Sequence, residues 1–188
     1  MNSFMVGTSG DAVGGLLDLV GAPSPVVDVT YGNGTFWKGS SRRVLGGDIN
    51  PLRAKDFVAD FLRLPFADGS IPTVVFDPPF HPDVGTAEDA RFSTMGRNDA
   101  EMKERFIAGT KECWRVTKAF LLVKCQGFVH NHKPQWMPLW AISVCGEPFE
   151  WLIVGRAQKR ISGRWVSNNS LRRNHADYLL FSRKGNLR

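Results

Sequence analysis

Val74-Val75-Phe76-Asp77-Pro78-Pro79-Phe80 is the stretch on which the reading of this chain turns. The apolar run Ile71 to Phe76 has the composition of a buried strand. Two prolines directly after it fix the backbone and remove two N–H donors. The Pro78 carbonyl is then released from strand pairing and can face a site. Asp77 adds a second acceptor and Phe80 a flat apolar surface. An acid, a carbonyl and an aromatic platform form a socket for a planar ring that bears an amine. The same residues could also end a strand, with Asp77 as a cap and Phe80 in the core. Taken alone, the stretch supports both readings equally.

Three other acids favour the socket. Val26-Val27-Asp28-Val29-Thr30 is a β-branched run, and Tyr31-Gly32-Asn33-Gly34 follows it. Glycines at a strand-to-helix turn let the backbone approach a ligand closely. Asp48 stands 14 residues after Gly34, at the tip of the next apparent strand, in Gly46-Gly47-Asp48-Ile49-Asn50-Pro51. A carboxylate there can accept two hydrogen bonds from a ribose diol. Asp60, followed by Phe61, ends an apparent third strand, where it could accept from an adenine amine or merely cap a turn. The dinucleotide fingerprint is incomplete, because Trp37 occupies the position of its third glycine. No phosphate-cradling G-x-x-x-x-G-K-[ST] segment is present, which excludes the common NTPase loop.

Outward from these motifs, strands and helices alternate. Strands are expected at 26–30, 43–48, 71–76, 119–124, 150–154 and 176–182, with helices near 14–20, from 51, at 98–117 and at 134–144. This order implies an α/β fold, a single Rossmann-like domain over 1–188 with helices on both faces of a mostly parallel sheet. The segments 80–96 and 155–174 exceed ordinary connection lengths.

The 188 residues carry a net charge of +6. Residues 151–188 hold nine Lys/Arg against one acid, whereas the first 150 hold 15 against 17, so the positive balance lies in the last fifth of the chain. A basic stretch of this kind is a footprint for a polyanion or a solvated tail. Arg160, Arg164, Trp165, Arg172 and Arg173 are its candidate nucleic-acid contacts. Three widely spaced cysteines, Cys113, Cys125 and Cys145, suit free thiols in a reducing compartment, and the protein is read as cytoplasmic. No signal peptide or membrane span is expected. The four histidines lack the spacing of a zinc site, so no metal is expected.

Asp28-x-x-x-Gly-x-Gly, Gly-Asp48-Ile-Asn-Pro, Ala-Asp60 with Leu-Pro-Phe, and Asp77-Pro-Pro-Phe together resemble the class I S-adenosylmethionine-dependent methyltransferases. Within them, the set is similar to the amino-methyltransferases of nucleic acids, whose signature is Asp, Asn or Ser, then two prolines and an aromatic residue. Trp114 to Thr117 leading into Leu121 to Lys124 resembles the helix and fifth strand of small DNA methylases, and Asn174 to Phe181 their final hairpin. The resemblance covers roughly Pro25 to Lys184.

It implies a seven-stranded sheet with one antiparallel strand near its end. It implies S-adenosylmethionine as cofactor, held by Asp28, Thr30, Gly32 and Gly34 at its methionine part. Asp48 and Ile49 would hold its ribose and adenine, and Asp60 and Phe61 would lie at the adenine amine. Asp77, Pro78, Pro79 and Phe80 would hold the target base. The expected reaction is methylation of an exocyclic base amine, adenine N6 in DNA before cytosine N4. The alternatives are RNA guanine N2, a small molecule, or a non-catalytic nucleic-acid-binding protein of the same fold. Only about 40 residues separate the glycine turn from Asp77, so no separate target-recognition domain is expected. Site choice would be loose, come from the two long loops, or need a specificity partner or homodimer.

Overall fold

The computed structural model describes residues 3–79, 95, 98–130, 133–155 and 175–183. The strands are β1 (Phe4–Val6), β2 (Val26–Asp28), β3 (Val44–Asp48), β4 (Phe57–Val58), β5 (Ile71–Phe76), β6 (Thr117–Cys125), β7 (Phe128–His130), β8 (Lys133–Gln135), β9 (Glu150–Gly155) and β10 (His175–Ser182). The helices are α1 (Ser9–Leu19), α2 (Asp99–Val116) and α3 (Met137–Cys145), with a 3-10 turn at Thr35–Trp37. Eight strands form one sheet in the order β1-β9-β10-β6-β5-β2-β3-β4. β10 runs antiparallel to both β6 and β9, and the other pairs are parallel. β7 and β8 form a separate hairpin.

The α/β architecture and the single antiparallel strand follow the sequence expectation. The strand count does not: β1 makes eight. Phe4-Met5-Val6 is too short to carry a period, and it becomes a strand because the edge of β9 pairs with it. A further correction concerns residues 51–57, where a helix was expected to start. Asn50 instead closes a turn, its side chain accepting from the Leu52 amide at 2.9 Å. The Asp56 carboxylate then accepts from the Gly46 amide at 2.7 Å and draws the chain back alongside β3. This tertiary contact overrides the helical start that Pro51 suggests.

Helix α1 begins earlier than its apolar run. Thr8 and Asp11 form a reciprocal capping box, which satisfies amide groups that the first turn leaves unpaired. In α2, Asn98 is the cap, accepting from the Glu101 amide at 3.0 Å. α3 starts at Met137 rather than Pro134, because 133–135 pair as β8.

Alternation along the central strands divides the core between two faces. Val74, Phe76, Leu121, Val123, Leu179 and Phe181 join Phe106 of α2 and Ala141 of α3. Val75, Leu122, Tyr178 and Leu180 join Val13, Leu16 and Leu17 of α1. Helices therefore cover both faces, as expected.

Two glycines in β3 leave room for rings. A Cβ on Gly46 would lie 2.4 Å from Cδ2 of Tyr31, and one on Gly47 would lie 2.2 Å from Cζ of Phe57. Gly46→Ala must displace the Tyr31 ring from near its root, at a cost of about 1–3 kcal/mol. A thermal melt should show a fall in midpoint of roughly 5 °C. An unchanged midpoint would mean the ring does not need that place.

Candidate active site

Strand β2 is flanked by β3 on one side and β5 on the other, so the order of the sheet reverses there. In open α/β sheets the crevice beyond the carboxyl ends of the strands at such a point is where ligands bind. The residues singled out in the sequence gather along that edge. Asp28 ends β2, Asp48 ends β3, Asp77 follows β5, and Asp60 follows the short β4 by two residues. Lys124 lies at the same end of β6, one position before its last residue.

The acids serve different purposes. Asp28 is 2% exposed, so its role is internal. One oxygen accepts from Trp37 Nε1 at 2.7 Å and the other from the Thr30 amide at 3.0 Å. These bonds tie both ends of the glycine loop to β2. Burial pushes the Asp28 carboxyl up to about 7 from its ordinary 3.8; the bonds from Trp37 and Thr30 oppose this, and the nearby Asp77 charge adds to it. A native state that holds this proton more tightly than the unfolded chain loses stability as pH rises from about 4 through about 7. The unfolding midpoint should therefore fall between pH 5 and pH 8, and Asp28→Asn should flatten that fall. Equal slopes in both proteins would remove Asp28 as the titrating group.

Thr30 is a strut between the two halves of the site. Its hydroxyl accepts from the Asp77 amide at 2.7 Å. The expected cofactor contact at Thr30 is thus joined by a structural role that the sequence did not show. Gly32 and Gly34 have φ of 54° and 62°, values that side-chain-bearing residues rarely adopt. The Gly32 amide donates to Asp48 Oδ2 at 3.0 Å, and the Asn50 amide to Asp48 Oδ1 at 2.8 Å. Each carboxylate oxygen has two lone pairs, so these bonds leave Asp48 able to accept from a diol. Ile49 beside it is 41% exposed, an apolar surface at the crevice rim.

Asp60 accepts from the Leu62 amide at 2.9 Å, so one oxygen does cap a turn. The Phe61 ring is 6% exposed and packs 5.2 Å from the Phe76 ring, centroid to centroid. It belongs to the core, and any ligand contact from this position would come from its backbone. Pro78 is buried and Pro79 half-buried. Phe80 and the basic set Arg160, Arg164, Trp165, Arg172 and Arg173 lie outside the described residues.

Sequence reasoning passed over two residues. Trp37 figured only as a missing glycine, yet it anchors Asp28. Lys124 figured only as part of a strand, yet its ammonium donates to Asp77 Oδ2 at 2.9 Å. A lysine between Val123 and Cys125 in a buried strand is a signal that could have found it, because lysines are almost never fully buried unless paired. Among the described residues, no group of three or more His, Cys, Asp or Glu side chains is placed to hold a metal ion. No helix among them is long and apolar enough to cross a membrane.

No protein-family model matches the chain, and no curated protein does. Solved structures do. A S-adenosylmethionine-dependent methyltransferase from Archaeoglobus fulgidus superposes with a TM-score of 0.52 at 13% identity, over 94% of this chain and 95% of that one. One from Methanosarcina mazei gives 0.52 at 11%, over 88% and 96%. A third, from Thermotoga maritima and described as a possible histamine N-methyltransferase, gives 0.53 at 13%, over 93% and 87%. At such identities the likeness is one of fold: the chain has the α/β fold of S-adenosylmethionine-dependent methyltransferases.

Proposed function

We propose that this protein is an S-adenosylmethionine-dependent methyltransferase acting on the exocyclic amine of a nucleic-acid base, with adenine N6 of DNA as the first target. The observation that carries the reading is the direct bond between the two halves of the site. The Asp77-Pro78-Pro79 turn is fastened to the loop bearing Gly32 and Gly34 through Thr30 Oγ1. An acceptor socket and a loop built for close backbone approach are thereby held side by side, which is the placement a direct transfer needs.

The residues fit the cofactor. The positive-φ glycines can approach its methionine part, Asp48 has acceptor capacity for its ribose, and exposed Ile49 can pack on its adenine. Asp60 and the backbone at Phe61 would meet the adenine edge. When bound, S-adenosylmethionine supplies a methyl group activated by sulfonium. The protein's share of the chemistry is then orientation and charge. Asp77 accepts a hydrogen bond from the substrate amine, and the Pro78 carbonyl can accept the other. These bonds favour a pyramidal nitrogen and offset the positive charge that develops on it. No strong base is needed, since the nitrogen becomes acidic as its new N–C bond forms and its proton then passes to water. A duplex target must be flipped out of its stack. Phe80 would stack on the base, and the basic segment with Arg160, Arg164, Trp165, Arg172 and Arg173 would grip phosphates without reading sequence.

The DNA target rests on the Asp77-Pro-Pro-Phe80 sequence and on the basic end of the chain, not on the fold. A cytoplasmic setting agrees with Cys113, Cys125 and Cys145 all being free thiols. Site choice would be loose or supplied by a second copy or a specificity partner.

The test is methyl transfer from labelled S-adenosylmethionine to DNA and RNA, followed by nucleoside digestion and mass identification. N6-methyladenine from DNA is expected. N4-methylcytosine would change the base and N2-methylguanosine from RNA the polymer. Bound cofactor with no transfer to either polymer would overturn the nucleic-acid target.

A further inference from the structure

Beyond β6 the chain runs through Gly127 into the β7–β8 hairpin and then into α3. Phe128 anchors the hairpin: it is 8% exposed, and its ring lies 6.4 Å from that of Trp140, centroid to centroid. Trp136 follows β8 directly, and its ring rests against Gly127, where a Cβ would come within 3.4 Å of Trp136 Cε3. Gly127 is three residues past Lys124, a distance of at most about 10 Å along the chain. Lys124 in turn reaches Asp77 at 2.9 Å. Trp136 therefore stands at the same carboxyl edge of the sheet as the candidate socket, on the β6 side.

This corner is exposed and apolar, and its own stretch of chain lacks acids. Trp136 is 47% exposed and Leu139 57% exposed. The two adjoin, since the Leu139 amide donates to the Trp136 carbonyl at 3.0 Å. Lys133 and Pro134 on β8 are exposed as well. From Val123 to Gly146 the sequence holds Lys124 and Lys133 but no Asp or Glu. Helix α2, packed against α3, carries charges of both signs in its first two turns and brings Lys103 Nζ to 5.9 Å from the centroid of the Trp140 ring. An aromatic surface beside a cation suits an unpaired base and its phosphate, because the ring stacks on the base and the ammonium meets the negative charge.

We propose that Trp136 is a stacking platform for an unpaired base next to the target, with Lys133 contacting the adjoining phosphate. The inference rests on the proposed nucleic-acid target and narrows it to single-stranded or locally opened DNA. A base inside a duplex has both faces against its neighbours in the stack, so it offers none to the ring. Trp136 acts through binding and takes no part in the transfer of the methyl group.

The test uses the full chain and a fluorescein-labelled oligodeoxyadenylate, single-stranded or annealed to its complement. Binding is read by anisotropy over a series of salt concentrations. Wild type, Trp136→Ala, Trp136→Phe and Lys133→Ala are compared, with thermal midpoints measured to confirm folding; Trp136→Leu replaces Trp136→Ala if the latter does not fold. Trp136→Ala should weaken single-strand binding by about five- to a hundredfold, Trp136→Phe should keep most of it, and duplex binding should stay unchanged. Lys133→Ala should lower the salt slope by about one, whereas Trp136→Ala should leave it unaltered. Equal single-strand affinity in wild type and Trp136→Ala would overturn the proposal. So would an equal loss on duplex and single strand, or a wild type that binds neither. Methyl transfer to the same strands is measured in parallel. Transfer with no dependence of binding on Trp136 would sink the platform and leave the methyltransferase reading. Binding that depends on Trp136, with no transfer to DNA or RNA, would do the reverse.

Discussion

Asp77→Ala should lose methyl transfer by at least roughly a hundred- to a thousandfold, with cofactor affinity nearly unchanged. Under the proposed function Asp77 would be the charged acceptor that faces the developing charge on the substrate nitrogen. Its carboxylate also partners Lys124, so alanine removes an ion-pair partner from an ammonium that is 10% exposed. Removing one member of a buried ion pair is itself destabilising, by about 3–5 kcal/mol for a fully buried pair and less at this exposure. Asp77→Asn separates the two effects. Its amide oxygen still accepts from Lys124, so folding should be largely kept, while the negative charge that offsets the transition state is gone. Radiolabel transfer gives the activity, and calorimetry with S-adenosylmethionine gives the affinity. Full activity in Asp77→Ala would place the base socket elsewhere.

Phe76→Ala should cost about 3–5 kcal/mol of stability and lower the unfolding midpoint by roughly 10 °C or more. Phe76 is wholly buried, with its ring centroid 5.2 Å from that of Phe61 and 6.0 Å from that of Phe106. Gly109 of α2 leaves space for it, since a Cβ there would come within 2.9 Å of its Cζ. The fit of ring against glycine presses α2 onto β5. A cavity at this place lies one residue before Asp77, so activity should fall along with stability. A drop of less than about 1 kcal/mol in chemical denaturation would show that the cluster closes over the gap.

The parts of the fold that were legible share one cause. Strands β2, β3, β5, β6 and β10 are largely buried and apolar, β9 is apolar from Trp151 to Val154 with Leu152 and Val154 buried, and α2 has a cap and a sustained apolar face. Their signals are local and strong. β1 and the turn at 50–56 were not legible, because each depends on a distant partner. β1 needs the edge of β9, and the turn needs the Gly46 amide for the Asp56 carboxylate. A correct helix-start signal at Pro51 was outweighed by a contact that only the folded chain contains.

The candidate site divides the same way. The sequence by itself determined that four acids, Asp28, Asp48, Asp60 and Asp77, stand at or just beyond strand ends, with glycines and prolines where the backbone must turn. Residue type and spacing along the chain suffice for that. Only the tertiary structure decided what each acid does. Asp28 is drawn inside by Trp37 and Thr30, Asp48 holds the Gly32 amide, and Asp60 caps a turn. Asp77 meets Lys124 from a strand 47 residues away. Burial and hydrogen-bond partners set the charge and freedom of a carboxylate, and both arise from pairing β2 with β5 and β5 with β6, which spacing along the chain does not encode.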